Sequence, residues 1–281
     1  MSSSSLASLA AWLAETPNPG AAVDGIWLGG LYDLAMKPWT PLVGVCLYLA
    51  TVACWEQRNV RRARAAGGRP VGAGAGIKPL VIAHSLLLAA YSMWVFADYS
   101  AAIIQAAREH GLRSAFYDSH RVLWDGKLLA HGFLFYLSKY YELVDTAIIL
   151  AKGRPAGRLQ TFHHAGAITI MWLGNYTQSP YLTFFVLENS LIHSLMYVYY
   201  TLTALGIRPP GKQLLTGIQI VQFYVSISAG VIYAAFPDSQ SRPQRLFTYL
   251  FIAYTIELVR LFTAFARKTY GPPRAAAKKR A

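Results

Sequence analysis

Acidic residues are scarce in this sequence and cysteine is nearly absent. Thirteen Asp and Glu stand against 26 Lys and Arg in 281 residues, and charged residues of both signs make up only 14% of the chain. The two cysteines, Cys46 and Cys54, fall in one apolar stretch. They cannot form a disulfide framework and read as helix packing residues. Polar helix faces are missing as well. Trp39–Trp55, Pro79–Phe96 and Leu214–Phe236 contain no Asp, Glu, Lys or Arg. A helix on a soluble protein needs a charged or broadly polar face, and these stretches have no charged one. They suit the hydrocarbon core of a bilayer, which takes about 20 apolar residues to cross.

Hydrophobic residues account for 54% of the chain. Four further segments qualify as spans despite internal polar residues: Leu128–Leu150, Leu159–Leu173, Tyr181–Ile207 and Leu246–Phe265. The expectation is therefore an all-α integral membrane protein of about seven helices, with spans near 39–55, 79–96, 128–150, 159–173, 181–207, 214–236 and 246–265. Residues 39–265 form one membrane domain without internal repeats. Residues 1–38 read as a retained segment lying partly on the membrane, because Met1–Leu13 has no basic n-region and leads to no clear cleavage site. Residues 266–281 read as a tail.

The net charge of +13 is arranged by loop rather than as a nucleic-acid surface. Arg58, Arg61, Arg62, Arg64, Arg69 and Lys78 follow the first span. Lys152, Arg154 and Arg158 follow the third, Arg208 and Lys212 the fifth, and Arg267, Lys268, Arg274, Lys278, Lys279 and Arg280 the seventh. These loops alternate, so they share one side. The positive-inside rule makes that side cytosolic and places the N-terminus in the lumen or outside. The final KKRA carries Lys278 and Lys279 in the pattern of a dilysine retrieval signal, which implies the endoplasmic reticulum membrane. Residues 65–76, AAGGRPVGAGAG, read as a flexible linker. Asn175-Tyr176-Thr177 is a glycosylation sequon in a loop too short for modification.

The ionisable residues inside the spans are concentrated. Each costs about 2.5–3.5 kcal/mol to insert, so they are functional candidates by default. Lys139, Glu142, Asp145 and Thr146 share an arc of about 120° on the third span, counting 100° per residue. Gln160, His163 and His164 open the fourth. Asn189, His193, Met196 and Tyr200 align on the fifth, with Tyr197 at the margin, and Thr216, Gln219 and Gln222 mark the sixth. A lone Lys–Glu pair also serves as a purely structural ion pair, the reading given to Glu257 and Arg260 in the seventh span. A lone histidine or glutamine equally serves as interhelical packing. Four helices each presenting a polar stripe point instead to the lining of one shared cavity.

At these residues the sequence resembles the ELO-type fatty acid elongases. The pattern K-x-x-E-x-x-D-T is complete at Lys139, Glu142, Asp145 and Thr146. So is N-x-x-x-H-x-x-M-Y-x-Y-Y, at Asn189, His193, Met196, Tyr197, Tyr199 and Tyr200, and T-x-x-Q-x-x-Q, at Thr216, Gln219 and Gln222. The histidine box departs from the family's usual H-x-x-H-H, reading Gln160-Thr161-Phe162-His163-His164. Glutamine donates and accepts hydrogen bonds but cannot shuttle protons, which leaves it orientation or packing. The Q-x-x-H-H form is similar to that of elongases acting on C18 polyunsaturated chains with a Δ9 double bond.

The resemblance implies condensation of acyl-CoA with malonyl-CoA to 3-oxoacyl-CoA, CoA and CO2, without metal or further cofactor. No cysteine lies near the polar stripes and imidazole is a competent nucleophile near neutral pH, so His163 is read as the acyl-accepting nucleophile and His193 as the residue assisting malonyl decarboxylation. His164 and Gln160 orient the site. Asn189, Gln222 and Tyr197 hydrogen-bond the thioester or enolate oxygens, and Lys139, Glu142 and Asp145 support them. Arg154, Arg158, Arg208, Lys212 and Arg267 are candidate contacts to CoA phosphates. The implied partners are the bilayer, a 3-ketoacyl-CoA reductase, a 3-hydroxyacyl-CoA dehydratase and an enoyl-CoA reductase. A homo-oligomer is compatible with this reading, and nucleic acid is not a partner. A transporter and a seven-span receptor remain the competing classes. A di-iron desaturase needs about eight clustered histidines, and the chain has seven in all.

Overall fold

A computed structural model of the protein describes residues 23, 25–69, 71–236 and 240–271. Most of the segment read as 1–38, and the tail from 272 with Lys278 and Lys279, lie outside the described residues. Among the described residues all regular structure is helical. In chain order the helices are α1 (Tyr32–Met36), α2 (Trp39–Ala65), α3 (Lys78–His110), α4 (Leu112–Tyr117), α5 (Leu129–Tyr141), α6 (Leu143–Ala151), α7 (Gly157–Tyr176), α8 (Leu182–Leu205), α9 (Lys212–Ala235) and α10 (Arg242–Tyr270). By length and composition α2, α3, α9 and α10 are long and apolar enough to cross a membrane. The remaining long elements carry the denser polar stripes, Lys139 to Thr146, Gln160 to His164 and Asn189 to Tyr200.

Local chemistry sets the helix ends. Ser241 caps α10 by accepting from the Gln244 amide, while the Gln244 side chain accepts from the Ser241 amide, and Pro243 sits in the first turn. Gly206 closes α8 in the left-handed region at φ 97°, and Gly211 precedes α9 at φ 94°. Ahead of α5, a π-helical turn at Trp124–Leu128 carries the chain into the bundle. Asp118 satisfies its leading amides: Oδ1 accepts from Leu123 N and Oδ2 from Trp124 N, both at 2.8 Å. The helical ladder breaks again at Glu142, between α5 and α6.

Helix α3 packs chiefly on α8, α9 on α10 and on α8, and α7 on α10, α5 and α2. The result is a bundle with α2 on the outside against α7 and α6. One end is sealed by aromatic rings. Tyr181 sits within 5.1 Å of both Tyr233 and Phe251, centroid to centroid, and Phe116, Phe184 and Phe247 fill around them. The outward face is apolar, as Leu47, Leu80, Leu214 and Val221 are all exposed. On a soluble protein so many exposed aliphatics would be an aggregation liability; against lipid tails they are the expected lining.

The linker between α2 and α3 is anchored rather than free along its length. The Ala73 amide donates to the Ala151 carbonyl at 2.6 Å. Gly153 has φ +73°, and a Cβ there would meet the Val71 carbonyl at 2.8 Å, so the α6–α7 turn and the linker approach closely only through glycine.

Candidate active site

A cavity of about 500 Å³ opens at the end of the bundle opposite the aromatic seal. Its wall combines the start of α3, α6, the first half of α7, α8 from Asn189 onward, the first half of α9 and the end of α10. That is also the end where the basic loops lie. Gln160, His163 and His164 face it from α7, Asn189, His193 and Tyr197 from α8, Gln222 from α9 and Asp145 from α6. Polar stripes on four different elements therefore do meet at one cavity. Lys152 and Lys212 stand among its lining residues near the mouth.

Lys139 and Glu142 lie behind the wall and are both 1% exposed. The Lys139 ammonium donates to Glu142 Oε1 and to Asn189 Oδ1, each at 2.7 Å, and rests 4.0 Å from the Phe135 ring centroid. An ammonium and a carboxylate this deep are tolerable only as a pair with further hydrogen bonds, and Asn189 and Ser138 supply them. His193 Nδ1 is 3.6 Å from Glu142 Oε1. One buried charge pair thus holds the amide of Asn189 and lies beside the imidazole of His193, short of a hydrogen bond to it.

Asp145 belongs to a second group. Its Oδ1 is 3.1 Å from His84 Nε2, and its Oδ2 accepts from the Tyr197 hydroxyl at 2.6 Å. Tyr197 packs edge-on to His193 with ring centroids 5.4 Å apart. A third group surrounds the histidine pair. The Gln160 amide nitrogen is 2.7 Å from His164 Nε2 and 3.4 Å from Thr146 Oγ1, which in turn meets the Tyr48 hydroxyl at 3.1 Å. Because an amide nitrogen only donates, His164 Nε2 accepts and its proton resides on Nδ1. Glutamine at the first position of the box therefore fixes the neighbouring imidazole without needing a titratable group.

The basic candidates separate. Lys212 lines the cavity, whereas Arg154, Arg158, Arg208 and Arg267 are exposed and absent from its lining. Arg158 lies 3.3 Å from Glu257, which also holds Arg260 at 2.6 Å. Sequence patterns did not single out His84, Tyr254, Tyr48 or Lys152. For His84 the available signal was a histidine in an otherwise charge-free span. Among the described residues no group of three or more His, Cys, Asp or Glu side chains is arranged to hold a metal ion.

Comparison with known families settles the membership. Residues 33–279 match the model of the ELO family, described as GNS1/SUR4. The chain belongs to this family. Similar curated proteins carry elongase names. "Fatty acid elongase sre1" of Dictyostelium discoideum is 33% identical over 168 residues, covering 59% of this chain and 63% of that protein. "Very long chain fatty acid elongase 3" of Homo sapiens is 32% identical over 152 residues, 52% of this chain and 56% of the relative. "Fatty acid elongase 5" of Trypanosoma cruzi is 36% identical over 141 residues, 49% and 54% respectively. The matched stretches thus span roughly half to two thirds of these ELO relatives.

Proposed function

We propose that this ELO-family chain condenses a long-chain acyl-CoA with malonyl-CoA, giving 3-oxoacyl-CoA, CoA and CO2. The observation that carries the reading is the placement of His163, His164 and His193 around one cavity whose mouth holds Lys152 and Lys212. Ammonium groups at the mouth suit the CoA phosphates, and imidazoles deeper in the wall suit acyl transfer.

In this mechanism the lone pair of His163 Nε2 attacks the thioester carbonyl. The C–S bond breaks, its electron pair leaves on the CoA sulfur, and the thiolate takes up a proton as the imidazole loses its own. An acyl-imidazole and free CoA result. Malonyl-CoA then loses CO2, and the electrons of that C–C bond pass into the enolate of the remaining acetyl thioester. The enolate carbon attacks the acyl-imidazole, the C–N bond breaks, its pair returns to Nε2, and the resulting imidazolate regains a proton from solvent. Asn189 and Gln222 present amide donors to the developing oxyanions, and His193, backed by Glu142, assists decarboxylation. Tyr197 would donate to a bound oxygen only on releasing Asp145, which holds its single hydroxyl proton.

The membrane reading goes with this. The seven rods α2, α3, the irregular rod ending in α6, α7, α8, α9 and α10 each cross the bilayer, within a domain at about 39–265. The basic loops and the cavity mouth face the cytosol, where CoA thioesters are found, and the N-terminus faces the lumen. Location in the endoplasmic reticulum rests on Lys278 and Lys279, outside the described residues. A preference for C18 polyunsaturated Δ9 acyl chains rests on Gln160. A reductase, a dehydratase and an enoyl reductase acting on the CoA thioester would complete the cycle.

Fatty acid profiles of yeast expressing the chain, fed separately with C16 to C20 acids including linoleic and α-linolenic, test this. C20 products from the C18 Δ9 polyunsaturates are expected. Elongation of other acids alone would remove the substrate assignment and leave the reaction. Absence of any elongation in expressing cells would return a transporter or receptor to consideration.

A further inference from the structure

Tyr254 approaches the candidate nucleophile from behind. It lies on α10, is buried, and does not line the outer cavity. With His163, Asn189, Gln222 and Phe185 it borders a small inner void of about 10 Å³. Its hydroxyl donates to the His163 carbonyl at 3.0 Å, and the same oxygen is 3.4 Å from His163 Nδ1. The approach is built in. A Cβ at Gly166, three residues along α7, would sit 2.2 Å from Tyr254 Cε2, and the Phe162 ring packs against the phenol, tilted by 30° with centroids 5.6 Å apart. Only glycine at 166 leaves room for the phenol there.

A phenol has one proton to give. With that proton on the His163 carbonyl, the Tyr254 oxygen can face Nδ1 only with a lone pair, and this favours the tautomer bearing hydrogen on Nδ1. The ring's remaining lone pair is then on Nε2. We propose that Tyr254 is a positioning residue that selects this tautomer of His163 and so keeps Nε2 free for the thioester. The step it serves is the first half-reaction given above, in which the Nε2 lone pair forms the C–N bond and CoA departs with the C–S pair. The proposal rests on the His163 nucleophile reading and adds to it a group that does not touch substrate.

The test is release of CoA from a C18 acyl-CoA in the absence of malonyl-CoA, followed on the full-length protein in detergent. The wild type is compared with Tyr254→Phe, Gly166→Ala and His163→Ala. Tyr254→Phe keeps the ring and its packing, so its melting temperature should match wild type. The rate of that single CoA release should nevertheless slow about 10–100-fold, the range known for losing the partner that orients a metal-bound imidazole, with the half-saturating acyl-CoA concentration unchanged. Gly166→Ala, which displaces the ring, should slow the same step. Wild-type CoA release in Tyr254→Phe, with His163→Ala inactive, would overturn the tautomer role and leave the nucleophile standing. A slow Tyr254→Phe protein with a lowered melting temperature or a raised half-saturating acyl-CoA concentration would show a merely structural residue and also overturn it. CoA release persisting in His163→Ala, or absent from the wild type, would overturn the nucleophile reading and this role with it.

Discussion

Tyr197 gives its hydroxyl proton to Asp145 at 2.6 Å, and the opposite oxygen of that carboxylate is held by His84 at 3.1 Å. Three helices are joined by this one carboxylate, and the Tyr197 ring it holds is the surface against which His193 packs. His84→Phe and Tyr197→Phe should each lower kcat for condensation by about 10–100-fold with little change in KM, whereas His84→Gln, which returns a donor near the Nε2 position, should recover most of the loss. Steady-state kinetics of the three variants would show it. Equal losses in His84→Phe and His84→Gln would mean that shape, not the hydrogen bond, is what matters there.

The Lys139–Glu142 pair should report on stability. Lys139→Met strands a buried carboxylate and the Asn189 carbonyl oxygen, at an expected cost of about 3–5 kcal/mol. Adding Glu142→Gln removes the stranded charge and should restore part of the melting temperature. A single variant as stable as wild type would show that the pair is not ionised in the folded protein.

Gln160 offers a sharper contrast. Its amide holds His164 Nε2 at 2.7 Å, so Gln160→Ala leaves that nitrogen without its donor. Losing the partner of a buried acceptor costs about 1–3 kcal/mol. If the whole cost falls on the transition state, activity drops about 5–150-fold. Gln160→His can present an N–H at the same place and should retain activity within a few fold. Product profiles of Gln160→His on C18 substrates of differing unsaturation would show whether this position also reads the acyl chain.

At the mouth, Lys212→Ala and Lys152→Ala should raise KM for both CoA substrates several-fold and weaken its dependence on salt, since ammonium–phosphate contacts are screened. Arg154→Ala and Arg208→Ala, outside the cavity lining, should leave KM nearly unchanged. KM measured at two ionic strengths for the four variants decides between the groups.

Much of this was legible in the sequence. Charge-free stretches marked the helices, and the stripes through Asp145, His163, His193 and Gln222 marked the cavity wall, because 100° per residue holds well within a regular helix. It held less well across the break at Glu142, where Lys139 and Glu142 turned out to sit behind the wall. His84 and Tyr254 were not legible as site residues. Each lies in a mostly apolar run outside any recognisable polar stripe, and its partner lies 61 or 91 positions away, a relation only packing creates. The loop cations looked equivalent for the same reason, until the mouth placed Lys212 inside and the arginines outside.

The most direct measurement is mass analysis of the full-length protein after mixing with a C18 acyl-CoA and no malonyl-CoA. One acyl group is expected on the peptide carrying His163, released as 3-oxoacyl-CoA when malonyl-CoA is added, with no adduct in His163→Ala. Condensation product formed at the wild-type rate by His163→Ala would contradict it.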